Sequence, residues 1–149
     1  MRLLIQCVKE AQVVVEGALI GKIGKGILVF LGIHKDDTRQ DCLYLKEKIL
    51  ALRIFKDKEE KMNLSLQEIG GEILIVSQFT LYADCTKGRR PSFTEAAPPK
   101  VAKDLYDYFI DEMKKAFPNL QTGLFGAHME VKLVNDGPLT FLLETSKAN

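Results

Sequence analysis

At 149 residues, with 46% hydrophobic and 28% charged residues, the chain has the composition of a folded protein rather than a disordered one. Its formal net charge of +1 excludes a global electrostatic pull toward nucleic acid, so any RNA contact must come from a local basic patch. No apolar run reaches the roughly 18 residues that a membrane-spanning helix needs, and one domain over residues 1–149, with no membrane partner, is expected.

The chain opens with Met1-Arg2-Leu3-Leu4-Ile5-Gln6-Cys7-Val8, which reads as a strand. It has no extended apolar region or small-residue cleavage site of a secretory signal, so a cytoplasmic location is expected. Leu3 to Val8 and Val13-Val14-Val15 are strand-like, and Gly17, Gly21, Gly24 and Gly26 punctuate two further short segments that end in Ile27-Leu28-Val29-Phe30-Leu31. A helix is expected from Asp37 to Leu52, with Asp37 and Gln40 as a capping pair and Cys42, Leu45, Ile49 and Leu52 on one face. Arg53 to Phe55 reads as a short strand, and Lys56 to Lys61 as a charged turn.

Ile73-Leu74-Ile75-Val76 reads as a buried strand leading directly into Ser77-Gln78-Phe79-Thr80. A polar loop follows from Ala83 to Ala97. The second helix opens at Pro98-Pro99, where proline suits a first turn, presents Val101, Leu105, Phe109 and Met113, and ends at Pro118. Met129 to Val134 and Leu139 to Glu144 read as two closing strands flanking a Gly137-Pro138 turn. The expected fold class is α/β: a β-rich single domain whose mixed sheet is covered by two main helices.

Two stretches carry chemistry without an obvious acid, base or metal ligand. Ser77 to Leu81 reads either as a strand end with a turn or as a catalytic segment. Thr80 has a hydroxyl but no base nearby in sequence, so a contribution through position and backbone N–H groups fits better than nucleophilic attack. Asn135-Asp136-Gly137-Pro138 reads as a tight turn, or as a wall of backbone carbonyls that bars one stereochemistry. About 5–6% of X-Pro bonds are cis, so the sequence leaves that isomer open.

Lys87, Arg89 and Arg90 form the densest basic cluster, which suits either a solvated loop or contact with phosphates of a tRNA acceptor end. Phe79 and Phe125 are candidates for stacking on an adenine, or for plain core packing. Gly21-Lys22-Ile23-Gly24-Lys25-Gly26 lacks the phosphate-loop spacing. Cys7, Cys42 and Cys85 are odd in number and far apart, and His34 and His128 are isolated. No disulfide framework and no metal site are expected. Cys85 has basic neighbours but no histidine close in sequence, which argues against a thiol nucleophile.

The ordered pair Ser77-Gln78-Phe79-Thr80-Leu81 and Asn135-Asp136-Gly137-Pro138-Leu139-Thr140 resembles the two signature motifs of the D-aminoacyl-tRNA deacylases. The likeness extends through Ile5-Gln6, Gly24-Lys25-Gly26, Leu52-Arg53-Ile54-Phe55, Met62 to Leu66, Lys87 to Phe93, Glu95 to Pro99, Thr122-Gly123 and Phe125-Gly126-Ala127. It implies a homodimer that acts on the aminoacylated acceptor end of tRNA and needs no cofactor. The resemblance places Ser77, Gln78, Phe79 and Thr80 in a catalytic pocket at the subunit interface. Gly137 and Pro138 of the other subunit, joined by a cis peptide, would act there as the chirality filter. It implies hydrolysis of D-aminoacyl-tRNA, and of glycyl-tRNA mischarged on tRNA(Ala). A deacylase of relaxed chirality and a non-catalytic tRNA-binding dimer are the alternatives. The chain departs from the family in one place: the arginine that usually follows Ile-Gln and helps hold the Gly-Pro segment is Cys7 here. Support from another basic group and looser discrimination are both open.

Overall fold

The computed structural model describes residues 1–145. Its central strand, β1 (Arg2–Val15), pairs antiparallel along one edge with β8 (Glu130–Glu144). Along the other edge, its first half pairs with β3 (Gly26–Gly32) and its second half with β2 (Ala18–Ile23). Leu3 to Val8 and Val13 to Val15, read as separate segments, are therefore one strand. Glu16 and Gly17 turn the chain from β1 into β2, and both have positive φ, as a two-residue hairpin with primed-turn geometry requires.

Parallel pairing extends the sheet on the far side of β3. β6 (Glu72–Ser77) lies parallel to β3, and β7 (Gln121–Thr122) parallel to β6. Such pairs need crossovers, which are supplied by α1 (Arg39–Ala51) before β6 and α2 (Pro99–Lys114) before β7. A small antiparallel pair, β4 (Phe55–Lys56) and β5 (Met62–Leu64), sits in the first crossover.

β3 and β6 are buried on both faces, which explains why they read as continuous apolar runs. Ile27, Val29, Leu31, Ile73 and Ile75 face the helices, meeting Leu45 and Ile49 of α1 and Phe109 and Met113 of α2. Leu28, Leu74 and Val76 face the other way, where Val8, Ala11, Val13 and Ile23 cover them. β1 contributes to both layers because its pairing with β8 shifts register on either side of Val8. Leu3, Ile5 and Cys7 point into the helix layer, then Val8, Ala11 and Val13 into the opposite one. The curl nearly closes the sheet on itself: a side chain at Gly21 of β2 would meet the Thr122 carbonyl of β7 at 2.7 Å.

Several boundaries differ from expectation, each for a local reason. α1 begins at Arg39, not Asp37, because Thr38 and Asp41 form the capping box, with Thr38 N donating to Asp41 Oδ2 at 2.8 Å. Asp37 is engaged elsewhere: its carboxylate accepts from the Met1 ammonium at 2.7 Å and from His34 N at 2.6 Å. In α2 the buried stripe is Ala102, Leu105, Tyr106, Phe109, Ile110 and Met113, whereas Val101 is exposed and the helix stops before Pro118.

The largest difference lies at the C-terminal end. Met129 to Val134 and Leu139 to Glu144 are not two strands of a hairpin; both belong to β8 and run antiparallel to β1 in the same direction. Gln6 pairs with Thr140 and Val8 with Asn135, so Cys7 alone lies opposite residues 136–139. Gly137-Pro138 is thus an outward excursion from one strand rather than a chain reversal.

Candidate active site

β6 ends at Ser77, and the pairing with β3 continues one step further through Gln78, whose amide donates to the Leu31 carbonyl at 2.8 Å. The chain then coils into a 3-10 turn, Phe79–Tyr82, closed by Leu81 N donating to Gln78 O at 3.2 Å and Ala83 N to Thr80 O at 3.0 Å. The amides of Phe79 and Thr80 open this turn and therefore have no acceptor inside it. Gly32, at the end of β3, lets the turn sit this close: a β-carbon there would lie 2.9 Å from Leu81 Cβ and 3.2 Å from Gln78 O.

The Gln78 side-chain amide donates to the Thr80 hydroxyl. Its partner is thus a donor, not a histidine or carboxylate that could take the Thr80 proton. Arg2 holds the other end of the turn. Its Nη1 donates to the Leu81 carbonyl at 2.7 Å, its guanidinium carbon lies 4.5 Å from the centre of the Tyr82 ring, and its Nε pairs with Glu144. Burial, with Asp37 nearby, raises the Tyr82 phenol well above its usual range.

Beside this turn lies a cavity of about 620 Å³, within the range for small-ligand sites. Its walls are the ends of β3 and β6 with Ser77, Gln78 and Phe79, the stretch from Phe93 into the start of α2, and the stretch from Phe125 to Met129. The lining is mainly apolar and aromatic. Phe79, 55% exposed, has its ring 5.1 Å from that of Phe93, while Phe125 packs on Tyr106 at 5.4 Å. The Phe93–Ala97 wall is fixed to the end of β3: Ala97 N donates to Ile33 O at 2.9 Å, and Glu95 bridges His34 and Lys35 at 2.9 Å each. The Lys35 hydrogen bond, then that of His34, holds the Glu95 carboxyl below its usual range.

The basic cluster stands next to this wall. Asp84 and Ser92 exchange backbone hydrogen bonds at 2.8 and 2.9 Å, pinching residues 85–91 into a closed loop one residue before Phe93. Asp84 also accepts from the Thr86 hydroxyl and amide at 2.7 and 2.9 Å, which lowers its carboxyl pKa. Gly88, with φ of 72°, makes the tip, and Lys87, Arg89 and Arg90 are exposed on it.

Gly137 and Pro138 lie elsewhere. The peptide between them is cis. Ser77 is level with Leu31, Leu3 and, on β8, Leu143, three residues from Thr140 and three strands across. With strand spacings of about 4.8 Å and a rise of about 3.3 Å per residue, the excursion sits on the order of 15 Å from its own Ser77. Its base is held by Asn135, whose Oδ1 accepts from Leu139 N at 3.2 Å and whose Nδ2 donates to Thr140 Oγ1 at 3.0 Å; Gln6 Nε2 reaches the same hydroxyl at 3.2 Å. This amide clasp supports the segment opposite Cys7, and Lys56 interacts electrostatically with Asp136 within it. Burial, reinforced by the Asp136 charge, pushes the Cys7 thiol up to about 11, so it stays protonated at neutral pH.

The fold therefore gathers Ser77, Gln78, Phe79 and Phe125 around one cavity, sets exposed Thr80 one residue beyond its lining and the basic loop beside it, and leaves Gly137 and Pro138 apart. Phe93, His128 and Met129 also line the cavity, and Arg2 fixes the turn; these roles were not read from the sequence. Phe93 had a signal, an aromatic three residues after Arg90 of the basic run. Among the described residues no group of three or more His, Cys, Asp or Glu could hold a metal, and no helix is long and apolar enough to cross a membrane.

Known proteins resemble this chain over nearly its full length. A D-aminoacyl-tRNA deacylase of Thermosipho africanus (strain TCF52B) is 59% identical over 147 residues, and one of Thermotoga petrophila 54%, each match covering 99% of both chains. Among solved structures, the c-Myc DNA Unwinding Element Binding Protein superposes with a TM-score of 0.93 at 39% identity, covering 99% of this chain and 100% of that one. A probable eukaryotic D-amino acid tRNA deacylase shares the fold with a TM-score of 0.83 at 21% identity, covering 95% of this chain and 97% of its own. Residues 4–144 match the family profile described as D-Tyr-tRNA(Tyr) deacylase, and the chain belongs to the D-aminoacyl-tRNA deacylase family.

Proposed function

We propose that this protein hydrolyses the ester linking a D-amino acid to the terminal adenosine of tRNA, releasing the free amino acid and intact tRNA. The observation that carries this reading is an aromatic cavity at whose edge a turn opens with two backbone amides free of any acceptor within it. The amides of Phe79 and Thr80 hold the substrate carbonyl oxygen, and the charge that grows on it in the tetrahedral intermediate is stabilised by aimed donors rather than by an acid. Water attacks the carbonyl carbon. The bond to the ribose oxygen then breaks, and that oxygen leaves with a proton. Because the Thr80 hydroxyl meets a donor and no base, the neighbouring ribose hydroxyl of the substrate is the group that assists the water. Ser77 and Gln78 shape the pocket, Phe125 and Phe79 flank the adenine, and Lys87, Arg89 and Arg90 contact acceptor-end phosphates. No cofactor takes part.

Stereochemistry is set by a second copy of the chain. The excursion is on the order of 15 Å from its own pocket by strand spacing, which favours delivery of Gly137 and Pro138 to the pocket of a two-fold partner. The exposed Leu142, on the β8 edge, suits an interface. Backbone carbonyls of the excursion would bar an L side chain while leaving the mirror direction open. Glycine has no side chain to bar, so glycyl-tRNA(Ala) passes the same filter. Such proofreading belongs in the cytoplasm, where tRNA is charged. Cys7, in place of the family's arginine, favours a second reading with relaxed chirality. Rates on D-tyrosyl-, L-tyrosyl-, glycyl- and L-alanyl-tRNA decide: D-tyrosyl and glycyl substrates are expected to turn over, and equal rates on both tyrosyl forms would defeat the proposal. Turnover of none, with salt-sensitive binding retained, would make the protein a tRNA-binding dimer instead.

A further inference from the structure

Arg2 stands at the start of β1, yet its guanidinium contacts two elements far away in sequence. It meets the Leu81 carbonyl at 2.7 Å, the Tyr82 ring at 4.5 Å and the Glu144 carboxylate at the end of β8. Leu81 and Tyr82 are the second half of the four-residue turn whose first half is Phe79 and Thr80. The turn is fixed at its entrance by the Gln78 amide on Leu31 O at 2.8 Å, and it rests on Gly32, where a β-carbon would collide with Leu81. A turn this short moves as a unit, so a shift of the Leu81 carbonyl displaces the amides that precede it. A flat guanidinium can donate in its plane to Leu81 and Glu144 while its face covers Tyr82; an ammonium cannot do all three.

We propose that Arg2 is a positioning residue for hydrolysis, which aims the Phe79 and Thr80 amides by clamping the far end of their turn. This rests on the reading that those amides hold the substrate carbonyl. A purely stabilising role is a poor fit, because the Arg2–Glu144 pair is 37% and 45% exposed and such pairs contribute little to folding. Misplacement by about 1 Å can lower a rate about 100-fold.

The test is kinetic, with D-tyrosyl-tRNA as substrate and the full chain as enzyme. Arg2→Met is expected to lower kcat roughly 10- to 100-fold with KM within about twofold of wild type and a melting temperature close to it. Arg2→Lys recovers part of the loss. Gly32→Ala, at the residue paired with Arg2 on β3, crowds the same turn at Leu81 and Gln78 and is expected to give the same kcat-selective defect. The double variant then loses less than the product of the two single losses, since both act through one element. Wild-type kcat in Arg2→Met beside a lowered kcat in Gly32→Ala overturns the role of Arg2 and leaves the turn as the catalytic element. Wild-type kcat in both sinks the reading of the turn itself. If Arg2→Met does not fold, Arg2→Lys decides: a folded enzyme with unchanged kcat overturns the proposal, and one with reduced kcat and unchanged KM supports it. Strictly multiplicative losses in the double variant also overturn it.

Discussion

Asn135 and Leu139 bracket the excursion in β8, the Asn135 Oδ1 accepting the Leu139 amide at 3.2 Å across the four-residue span. The other side-chain atom of the same amide group donates to Thr140 Oγ1 at 3.0 Å, so one residue ties both ends of the segment to the strand. Only then does β8 resume its pairing with Gln6.

If Gly137 and Pro138 select chirality, Asn135→Ala loosens the selector without touching the pocket. Each hydrogen bond of this kind contributes about 1 kcal/mol net, and about 1.4 kcal/mol corresponds to tenfold. The ratio of D-tyrosyl- to L-tyrosyl-tRNA hydrolysis is expected to fall about tenfold, mainly because the L rate rises. Parallel measurement of both substrates checks it; an unchanged ratio would show that the clasp has no part in selection.

Thr80 gives a prediction with the opposite sense. Its hydroxyl has no base, so Thr80→Val keeps the backbone amides and is expected to retain single-turnover hydrolysis within about threefold, while tRNA ending in 2′-deoxyadenosine loses on the order of 100-fold, the scale of general acid–base assistance. A Thr80→Val enzyme that is nearly dead on normal substrate would return the nucleophilic role to the side chain.

Much of the fold was legible because its residues announce burial locally. Ile73 to Val76 reads as a strand since both of its faces are covered, and Cys42, Leu45 and Ile49 sit at helical spacing on the buried side of α1. The Gly137-Pro138 stretch reads as a tight turn between two strands because two apolar runs around a Gly-Pro look alike whether they pair with each other or with a third strand. The answer lay in β1, more than a hundred positions away, through pairs such as Val8 with Asn135. Arg2 was equally silent. An arginine at a strand's edge reads as solvated, and only the completed sheet brings it to a carbonyl 79 residues on.

Charge at the basic loop should govern binding and not chemistry. Lys87, Arg89 and Arg90 are exposed on a loop pinned by Asp84 and Ser92, beside the cavity rather than inside it. Single alanine substitutions are expected to raise KM several-fold, leave kcat unchanged and reduce the slope of log affinity against log salt by about 0.7–0.9 each. Filter-binding titrations across salt concentrations measure that slope, and unaltered slopes in all three variants would place the tRNA elsewhere.

The buried thiols predict how stability responds to alkali. Burial, with Asp136 for Cys7 and Asp37 and Asp41 for Cys42, raises their pKa values from about 9.0 to about 11 and about 12. Both groups are neutral when protonated, and the folded state keeps the proton to higher pH than the unfolded chain does. Their stabilising contribution is therefore complete below pH 9.0 and is lost as pH rises toward 11 for Cys7 and 12 for Cys42. Within that window each thiol removes up to about 1.4 kcal/mol per pH unit. Melting temperature should fall from pH 9.0 upward, and Cys7→Ala with Cys42→Ala should flatten the fall. In the native protein a thiol reagent at pH 8 should meet Cys85, the exposed cysteine, quickly and the other two only after unfolding. Rapid native labelling of Cys7 would mean that β8 opens opposite it.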